Sequence, residues 1–255
     1  MLKRTIITSI LCVFAGGLLG SYFFFVGRLA AERSAQEICR GVKVVVLDSL
    51  ENSLISADEV KERLADWNFS GRCDNINLYE IETAVRSFGE VADAQVFRRD
   101  RNNIEIDLAQ RKPAVRFIKG GTSHYADCNG YLFPVYHFTD VPVVTGFLPF
   151  DADPSYKGPL AGEERDWVNG ILSLTEFISG HKYWESVTQQ IDIAGNGDIL
   201  LYLKSGSEVI IFGDSAGIEE KFRKLEAYYR NIVPSGDGRK YSIVNLKFDN
   251  QIICK

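Results

Sequence analysis

The chain contains three histidines, His124, His137 and His181, and these are its residues best suited to proton transfer or metal binding. Cys128 lies four residues after His124, so imidazole and thiol groups of the kind that bind zinc occur close together in the sequence. A zinc site also needs convergent ligands and supporting hydrogen bonds, and these spacings match no zinc-binding motif. We therefore expect no metal site, and we interpret these residues as parts of turns and strand ends.

Other residues that could indicate catalysis lack the flanking sequence that a catalytic motif requires. Ser215 is not part of a G-x-S-x-G nucleophile motif, and residues 195–197 lack the lysine, the Ser/Thr and the strand-to-helix setting of a phosphate-binding loop. The acidic pairs at 163–164 and 219–220 fall at predicted helix N-termini, where the helix dipole favours carboxylates. The sequence therefore predicts a non-enzymatic protein without a cofactor or a small-molecule substrate.

Composition limits the classes of partner. The 255 residues include 29 basic and 34 acidic side chains, giving a net charge of −5, and no long basic run is present. Nucleic acid binding is therefore disfavoured. Four cysteines beyond the apolar N-terminus, Cys39, Cys73, Cys128 and Cys254, allow two disulfides in three connectivities, and no C-x-x-C pair selects among them. Free thiols are the simpler alternative, so the pairing stays open at this point.

A single apolar segment dominates the N-terminus. Residues 5–27 carry no charge and are flanked by Lys3, Arg4 and Arg28. As a helix this segment rises about 34 Å at 1.5 Å per residue, enough to cross a hydrocarbon core of about 30 Å. It is longer than the apolar core of a signal peptide, about 7 to 15 residues, so we predict an uncleaved transmembrane helix. Basic residues on both sides leave its orientation open.

The remaining chain is long enough for two small domains. After a tail at 1–4 and a linker at 28–41, we predict a first domain at 42–112 and a second at 113–255. In the first domain, capping-box spacings predict two helix starts, and β-branched or alternating runs predict strands. Its order is strand, helix, helix, strand, strand, with helix starts at 56–59 and 77–80 and strands at 42–47, 91–99 and 104–108.

The second domain is predicted to be rich in strands. An Asn-Gly pair at 129–130 and a Gly-Asn-Gly run at 195–197 indicate tight turns in two hairpins. Pro142 favours an edge position for a strand at 141–146. Further strands are predicted at 191–193, 199–203, 209–212, 241–248 and 251–254.

Two amphipathic helices complete the second domain. One is predicted at 163–177, and the other runs from a cap at Asp214 or Ser215 to about residue 232. The fold class is therefore α+β: a single N-terminal transmembrane helix, a β-α-α-β-β domain, then a strand-rich β domain with two helices.

The first predicted domain resembles a POTRA domain. The resemblance rests on I-S-A-D-E-V at 55–60, the helix at 82–88, V-A-D-A-Q-V at 91–96 and the strand at 104–108. The Q-R-K-P sequence at 110–113 is similar to the exit of the POTRA domain in the bacterial cell-division family FtsQ/DivIB. Gly89-Glu90 departs from that family, many of whose members carry a proline before the strand.

The second predicted domain resembles the β domain of the same family. The matching residues are D-C-N-G at 127–130, V-P-V-V-T-G at 141–146, Gly206, Val209, Gly213, K-F-R-K-L at 221–225 and the closing run 241–253. The variant with Asn250-Gln251 is most similar to FtsQ of Bacteroidetes-type bacteria. Anchor, POTRA unit and β unit occur here in the order found in FtsQ/DivIB proteins and cover most of the chain.

This resemblance implies a single-pass cell-division protein without enzymatic activity. It implies a cytoplasmic N-terminus, an inner-membrane helix, periplasmic domains and enrichment at the division septum. It also implies binding to FtsB-like and FtsL-like division proteins, and a role in linking early and late divisome components and controlling septal peptidoglycan synthesis. An alternative assigns the POTRA domain to a membrane-anchored protein of secretion or envelope assembly.

The resemblance further implies a partner-binding surface near the C-terminus. An exposed closing strand would offer unpaired backbone groups to an added partner strand. Phe248 is the strongest candidate contact because aromatic side chains are frequent interface hot spots, and an edge strand at 91–99 offers a second surface. Core packing is the alternative explanation for the apolar candidates. The full set is Val244, Leu246, Lys247, Phe248, Asp249, Asn250 and Ile252, with Lys221 and Leu225 on the preceding helix.

Overall fold

The computed structural model describes residues 16–29, 39, 41–48, 53–67, 69, 75–100, 102–204, 206–235 and 241–255. By their contacts the residues of the chain form two compact units. The first unit comprises 1–47, 57–85 and 94–108, and the second comprises 48–56, 86–93 and 109–255. Three short segments within the predicted domain 42–112, residues 48–56, 86–93 and 109–112, therefore belong to the second unit.

The N-terminal part of the structure is a helix. Residues 16–29 form α1, whose side chains are exposed. The rest of the predicted transmembrane segment, residues 5–15, lies outside the described residues, as does most of the predicted linker at 28–41. Among the described residues, no helix combines the length and the apolar character needed to cross a membrane.

The first unit is built on a three-stranded sheet with the order β1-β3-β2, in which β1 is parallel to β3. The predicted succession of strand, helix, helix, strand and strand is confirmed. The elements are β1 Gly41–Val46, α2 Ala57–Arg63, α3 Leu78–Arg86, β2 Val91–Arg98 and β3 Asn103–Gln110.

Local chemistry explains the start of α3 and the core of this unit. Asn77 Oδ1 accepts a hydrogen bond from the Glu80 backbone N–H at 3.4 Å, and Asn77 Nδ2 donates to Glu80 Oε1 at 2.7 Å. Asn77 thus caps the helix as predicted, but Glu80 accepts from the Asn77 side chain rather than from its backbone N–H as in a capping box. The alternating run on β3 buries one set of apolar side chains with those of the two helices: Val60, Leu64, Ile81, Val85, Ile104, Ile106 and Leu108.

The second unit contains a ten-stranded sheet with the order β13-β12-β11-β10-β9-β7-β4-β5-β6-β8. Its strands are β4 Pro113–Lys119, β5 Thr122–Asp127, β6 Tyr131–Pro134, β7 Val143–Gly146, β8 Gly158–Pro159, β9 Thr188–Ile193, β10 Ile199–Leu203, β11 Val209–Gly213, β12 Ile243–Asn245 and β13 Ile253–Cys254. The helices are α4 Gly162–Ser179, α5 Lys182–Val187, α6 Ile218–Ala227 and α7 Val233–Ser235, with a π-helical turn at Tyr228–Ile232.

The position of β7 corrects one prediction. Pro142 favoured an edge strand, yet β7 is parallel to and paired with both β4 and β9 and so lies inside the sheet. Pro142 itself immediately precedes β7, and its carbonyl oxygen accepts a hydrogen bond from the Arg116 N–H at 2.9 Å. The proline is tolerated because the missing N–H falls just before the strand rather than within the ladder.

The two predicted hairpins are confirmed, but the first uses a different turn. Gly130 has a φ of 75°, whereas Asn129 is not among the residues with positive φ. The turn is instead held by Asp127, whose Oδ1 accepts hydrogen bonds from Asn129 N at 2.9 Å and Tyr131 N at 3.0 Å. A single left-handed glycine therefore suffices, since the aspartate side chain satisfies the turn amides.

The helices of the second unit are more numerous than the two predicted. Helix α5 follows α4 almost directly, with His181 as its N-cap residue. Helix α6 begins at Ile218, and its N-cap residue is Gly217, with a left-handed φ of 60° and ψ of 37°, rather than Asp214 or Ser215. Asp214 Oδ1 instead accepts a hydrogen bond from the Ala216 N–H at 3.1 Å.

The core of the second unit lies between the sheet and helices α4 and α6. Helix α4 contributes Val168, Ile171, Leu172, Leu174 and Ile178. Phe222 of α6 packs at 5.4 Å, centroid to centroid, from Phe212 of β11, and at 4.8 Å from Phe177 of α4. This aromatic contact fixes α6 beside the strands that end the chain.

Candidate functional site

The histidines and the cysteine considered for proton transfer or metal binding occupy different environments in the structure. His124 is buried, and its Nε2–H donates to the Asp153 carbonyl oxygen at 2.9 Å. Cys128 is exposed. His181 Nδ1 lies 2.7 Å from the carbonyl oxygen of Phe177, four residues earlier at the end of α4. Across the described residues, no group of three or more His, Cys, Asp or Glu side chains is placed to hold a metal ion.

The cysteines that the structure describes are unpaired. Cys39 is buried, Cys128 is exposed and Cys254 is half-buried, and all three are free thiols. Cys73 lies outside the described residues. Burial raises the pKa of the Cys254 thiol, which favours its neutral form at the end of the chain.

The candidate partner-binding residues lie on α6, on β12 and in the connection between β12 and β13. Strand β12 is shorter than the strand predicted at 241–248, and β13 is shorter than the one predicted at 251–254. Because β12 pairs with β11 on one side and β13 on the other, it is an inner strand. Among the described strands, the outer one at this end of the sheet is therefore β13.

The apolar candidates divide into buried and exposed groups. Val244, Leu246 and Leu225 are each fully buried, and they belong to the core of the second unit. Their side chains are therefore packing residues in this conformation. Ile252 is partly buried against the same core, whereas Phe248 is 44% exposed. Of the apolar candidates, Phe248 is therefore the residue most accessible to a partner.

Lys221 has a structural partner inside the unit. Its Nζ donates to Asp214 Oδ1 at 2.6 Å and to the Asp214 carbonyl oxygen at 2.9 Å, and it lies 5.0 Å from the Phe212 ring centroid. The hydrogen bond from Lys221 lowers the pKa of the Asp214 carboxyl group. Because Lys221 is only 8% exposed, it holds the β11–α6 connection rather than facing solvent.

Lys247 also forms an ion pair within the unit, although its side chain is more exposed than that of Lys221. Its Nζ lies 2.8 Å from Asp198 Oδ1 and 3.0 Å from Asp198 Oδ2, on the turn between β9 and β10. Its aliphatic stem crosses Gly213, where an added Cβ would lie 2.7 Å from Lys247 Cγ. Asp249 and Asn250 are exposed, and Asn250 adopts a left-handed φ of 56°.

Sequence reasoning missed Lys224. This lysine on α6 donates from Nζ to the Leu246 carbonyl oxygen and to the Phe248 carbonyl oxygen, both at 2.8 Å. The residue lies in the K-F-R-K-L run at 221–225, which the sequence analysis noted. Its hydrogen-bond partners, however, lie 22 and 24 residues further along the chain. No local pattern reports such a contact.

Strand β13 presents backbone groups to one side. Lys255 N donates to the Ile243 carbonyl oxygen at 3.0 Å, and Ile243 N donates to the Lys255 carbonyl oxygen at 3.0 Å. In an antiparallel ladder such mutually bonded pairs alternate with pairs whose backbone groups point outward. The next pair is Val244 with Cys254, so the Cys254 N–H and C=O point away from β12. As β13 is the last strand in the sheet, this edge is unpaired among the described residues.

Two family models match the chain and together account for both units. The model described as FtsQ/DivIB, C-terminal related, matches residues 112–255, and the model described as POTRA-like domain matches residues 37–109. No curated protein sequence matches the chain. Both families consist generally of non-catalytic scaffold domains. Since the first match covers more than half of the 255 residues, the chain belongs to the FtsQ/DivIB, C-terminal related family.

Proposed function

We propose that this chain is a non-enzymatic, single-pass cell-division protein that binds FtsB-like and FtsL-like partners in the periplasm. The helix predicted at 5–27 would anchor it in the inner membrane with the N-terminus in the cytoplasm. Family membership supports a role in cell division, and proteins of the FtsQ/DivIB family are typically anchored in the membrane at the septum.

The edge of β13, which pairs with no strand in the described part of the chain, is the observation that carries this proposal. A partner segment in extended conformation can continue the sheet by bonding to the outward N–H and C=O of Cys254. Backbone pairing supplies affinity, and side chains beside the edge supply specificity. The edge is short, because β13 comprises only Ile253–Cys254, so side-chain contacts must contribute substantially.

Phe248 is the side chain best placed to provide such a contact. It is 44% exposed in the connection that leads into β13, and Asp249 and Asn250 next to it are exposed as well. Aromatic residues are enriched among interface hot spots because they bury a large area with few rotatable bonds. The proposed partner-binding set is therefore Phe248, Asp249, Asn250 and the edge of β13, with Ile252 and Lys247 at its border.

Strand β2 of the first unit offers a second edge. It is the outer strand of its sheet, and Phe97 on it is 39% exposed. The backbone N–H of Val96, however, already donates to Glu82 Oε2 at 3.0 Å, which occupies one edge donor. We assign this edge to a weaker recruitment contact and the β13 edge to the principal partner.

A matched pair of variants at Cys254 tests strand addition directly. Cys254→Pro removes the outward N–H, whereas Cys254→Ala removes the thiol and keeps the backbone donor. We expect capture of the FtsB-like protein from the same organism to be lost with proline and retained with alanine, with both variants folded. Equal capture by the two folded variants would refute pairing at this edge.

Phe248 variants test the side-chain contact. Phe248→Ala should weaken capture, and Phe248→Asp should abolish it because a charge would be buried in the interface. If both folded variants capture the partner as well as the wild type, Phe248 is not part of the site.

The wider role is to link early and late divisome components and to help control septal peptidoglycan synthesis. Fluorescent fusions of the full chain test it against envelope assembly or secretion, the alternative function. Rings at mid-cell support the division role, whereas an even envelope distribution contradicts it.

A further inference from the structure

Two lysines, Lys224 and Lys247, hold the connection between β12 and β13. It carries Phe248 together with Asp249 and Asn250, and no strand or helix occurs between Asn245 and Ile253. A connection of this kind would ordinarily sample several backbone conformations, which costs entropy when a partner binds. The two lysines remove much of that freedom.

Lys224 holds the connection from α6. Its ammonium group donates to the carbonyl oxygens of Leu246 and Phe248, both at 2.8 Å, so it bridges the two residues flanking Lys247. Among the described residues, Lys224 forms no ion pair with a carboxylate, and its ammonium group donates to these two backbone oxygens. The contact therefore restrains the backbone conformation around Phe248, and it does not compensate the charge of a carboxylate.

Lys247 joins the connection to the turn between β9 and β10. Asp198, whose side chain is 16% exposed, binds the Lys247 ammonium through both carboxylate oxygens, at 2.8 and 3.0 Å. The Lys247 N–H also donates to Asn245 Oδ1 at 3.0 Å. The connection is thus fixed on either side of the Lys247 backbone, and Phe248 projects from the fixed segment.

We infer that Lys224 is a positioning residue for Phe248: it holds the 246–248 backbone in the conformation that presents the aromatic ring to a partner. This inference rests on the proposed function, since it assumes that Phe248 contacts the partner. Preorganising a contact residue raises affinity because less conformational freedom is lost on binding. Lys224 then contributes to binding without touching the partner.

A double-mutant cycle on the full chain tests this role, with the FtsB-like protein of the same organism as the probe. Lys224→Met keeps the length of the side chain and removes the donors, while Lys224→Arg retains them. The matched control is Arg223→Met, one position earlier on α6 and exposed. We expect Lys224→Met to weaken binding about tenfold, with less than about threefold effects for Lys224→Arg and Arg223→Met.

The background variant Phe248→Ala supplies the decisive comparison. If Lys224 acts through Phe248, Lys224→Met should change the affinity of the Phe248→Ala protein by less than about twofold. An equal loss in both backgrounds overturns the positioning role while leaving Phe248 as a contact. Full binding by Phe248→Ala instead overturns the proposed site, and the inference with it.

Amide hydrogen exchange gives a readout without the partner. Lys224→Met should increase exchange at Lys247, Phe248 and Asp249, while exchange in β9 and β10 stays at the wild-type rate. Unchanged exchange at these amides would show that Lys224 does not order the connection, and would contradict the inference even if the variant bound poorly.

Discussion

Arg111 Nη1 donates to Asp127 Oδ2 at 2.8 Å, joining the segment just before β4 to the turn between β5 and β6. Both side chains are largely buried, with 14% and 6% exposed, and the guanidinium also lies 3.5 Å from the Tyr131 ring centroid. Asp127 therefore serves two purposes: one oxygen receives the arginine, and the other organises the turn amides.

Removing the arginine should be costly. We expect Arg111→Met to lower the free energy of unfolding by about 3 kcal/mol, because it leaves the Asp127 carboxylate buried without its cation. Chemical denaturation followed through Trp167 and Trp184 of the second unit measures this change. The matched control is Arg165→Met, because the Arg165–Asp166 pair is exposed and 3.7 Å apart, and we expect a change under about 1 kcal/mol. Similar losses for the two variants would contradict the prediction that the buried pair contributes more to stability than the exposed pair.

Gln110 should organise the segment at 53–55. Its Oε1 accepts hydrogen bonds from Leu54 N at 2.6 Å, Ile55 N at 3.1 Å and Ser53 Oγ at 3.1 Å. Gln110→Ala leaves two buried amides without an acceptor, so we expect a loss of about 2 to 4 kcal/mol. Exchange of the Leu54 and Ile55 amides should accelerate as well. Gln189→Ala, at an exposed position, is the control, and an equal loss there would contradict the prediction.

Gly146 should tolerate no side chain. Its φ is 93°, and an added Cβ would lie 2.3 Å from the Ile193 carbonyl oxygen. We expect Gly146→Ala to cost about 3 kcal/mol or more, since backbone strain and a clash with a fixed strand add together. Gly197 has a similar φ of 86° with no atom within 4 Å, so Gly197→Ala should show the strain alone, about 1 kcal/mol. Thermal unfolding of the two variants separates these contributions, and equal losses would rule out the clash.

His124 should make stability depend on pH near neutrality. Burial lowers the pKa of His124, so the folded protein excludes a proton that the unfolded histidine binds below about pH 6.5. The unfolded state then binds more protons, and the free energy of unfolding falls as the pH falls from about 7.5 to 5.5. His124→Gln should flatten this slope. Parallel slopes for wild type and His124→Gln would contradict this assignment.

Local patterns predicted much of the fold because local chemistry determines those features. The Asn77–Glu80 cap and the hairpin turns at Gly130 and Gly197 depend on residues a few positions apart. Short-range hydrogen bonds and backbone preferences are visible in such spacings. The family resemblance predicted from these patterns and their order is confirmed by the two family matches.

Features set by distant residues were not predictable in this way. The inner position of β7 depends on pairing with β4 and β9, which flank it from opposite directions in the sequence. Helix α6 starts after a left-handed glycine, Gly217. The Asp214 carboxylate accepts a hydrogen bond from Lys221 instead of capping the helix, so the expected aspartate cap does not form. The candidate site likewise contained buried residues, because alternation alone does not tell which strand of a sheet is the outer one.

The brevity of β13 also bears on the solubility of the protein. A long, flat outer strand is a template for fibrillar self-association between identical chains. Here the outward-facing pair at Cys254 is flanked by Lys255, whose carbonyl oxygen is already taken by Ser242 N at 2.7 Å and Ile243 N at 3.0 Å. Under the proposed function, so short an edge offers few backbone groups to a second copy of the chain, and stable binding requires a partner segment that also contacts the Phe248 ring. The length of one strand would then help to discriminate between self-association and partner binding.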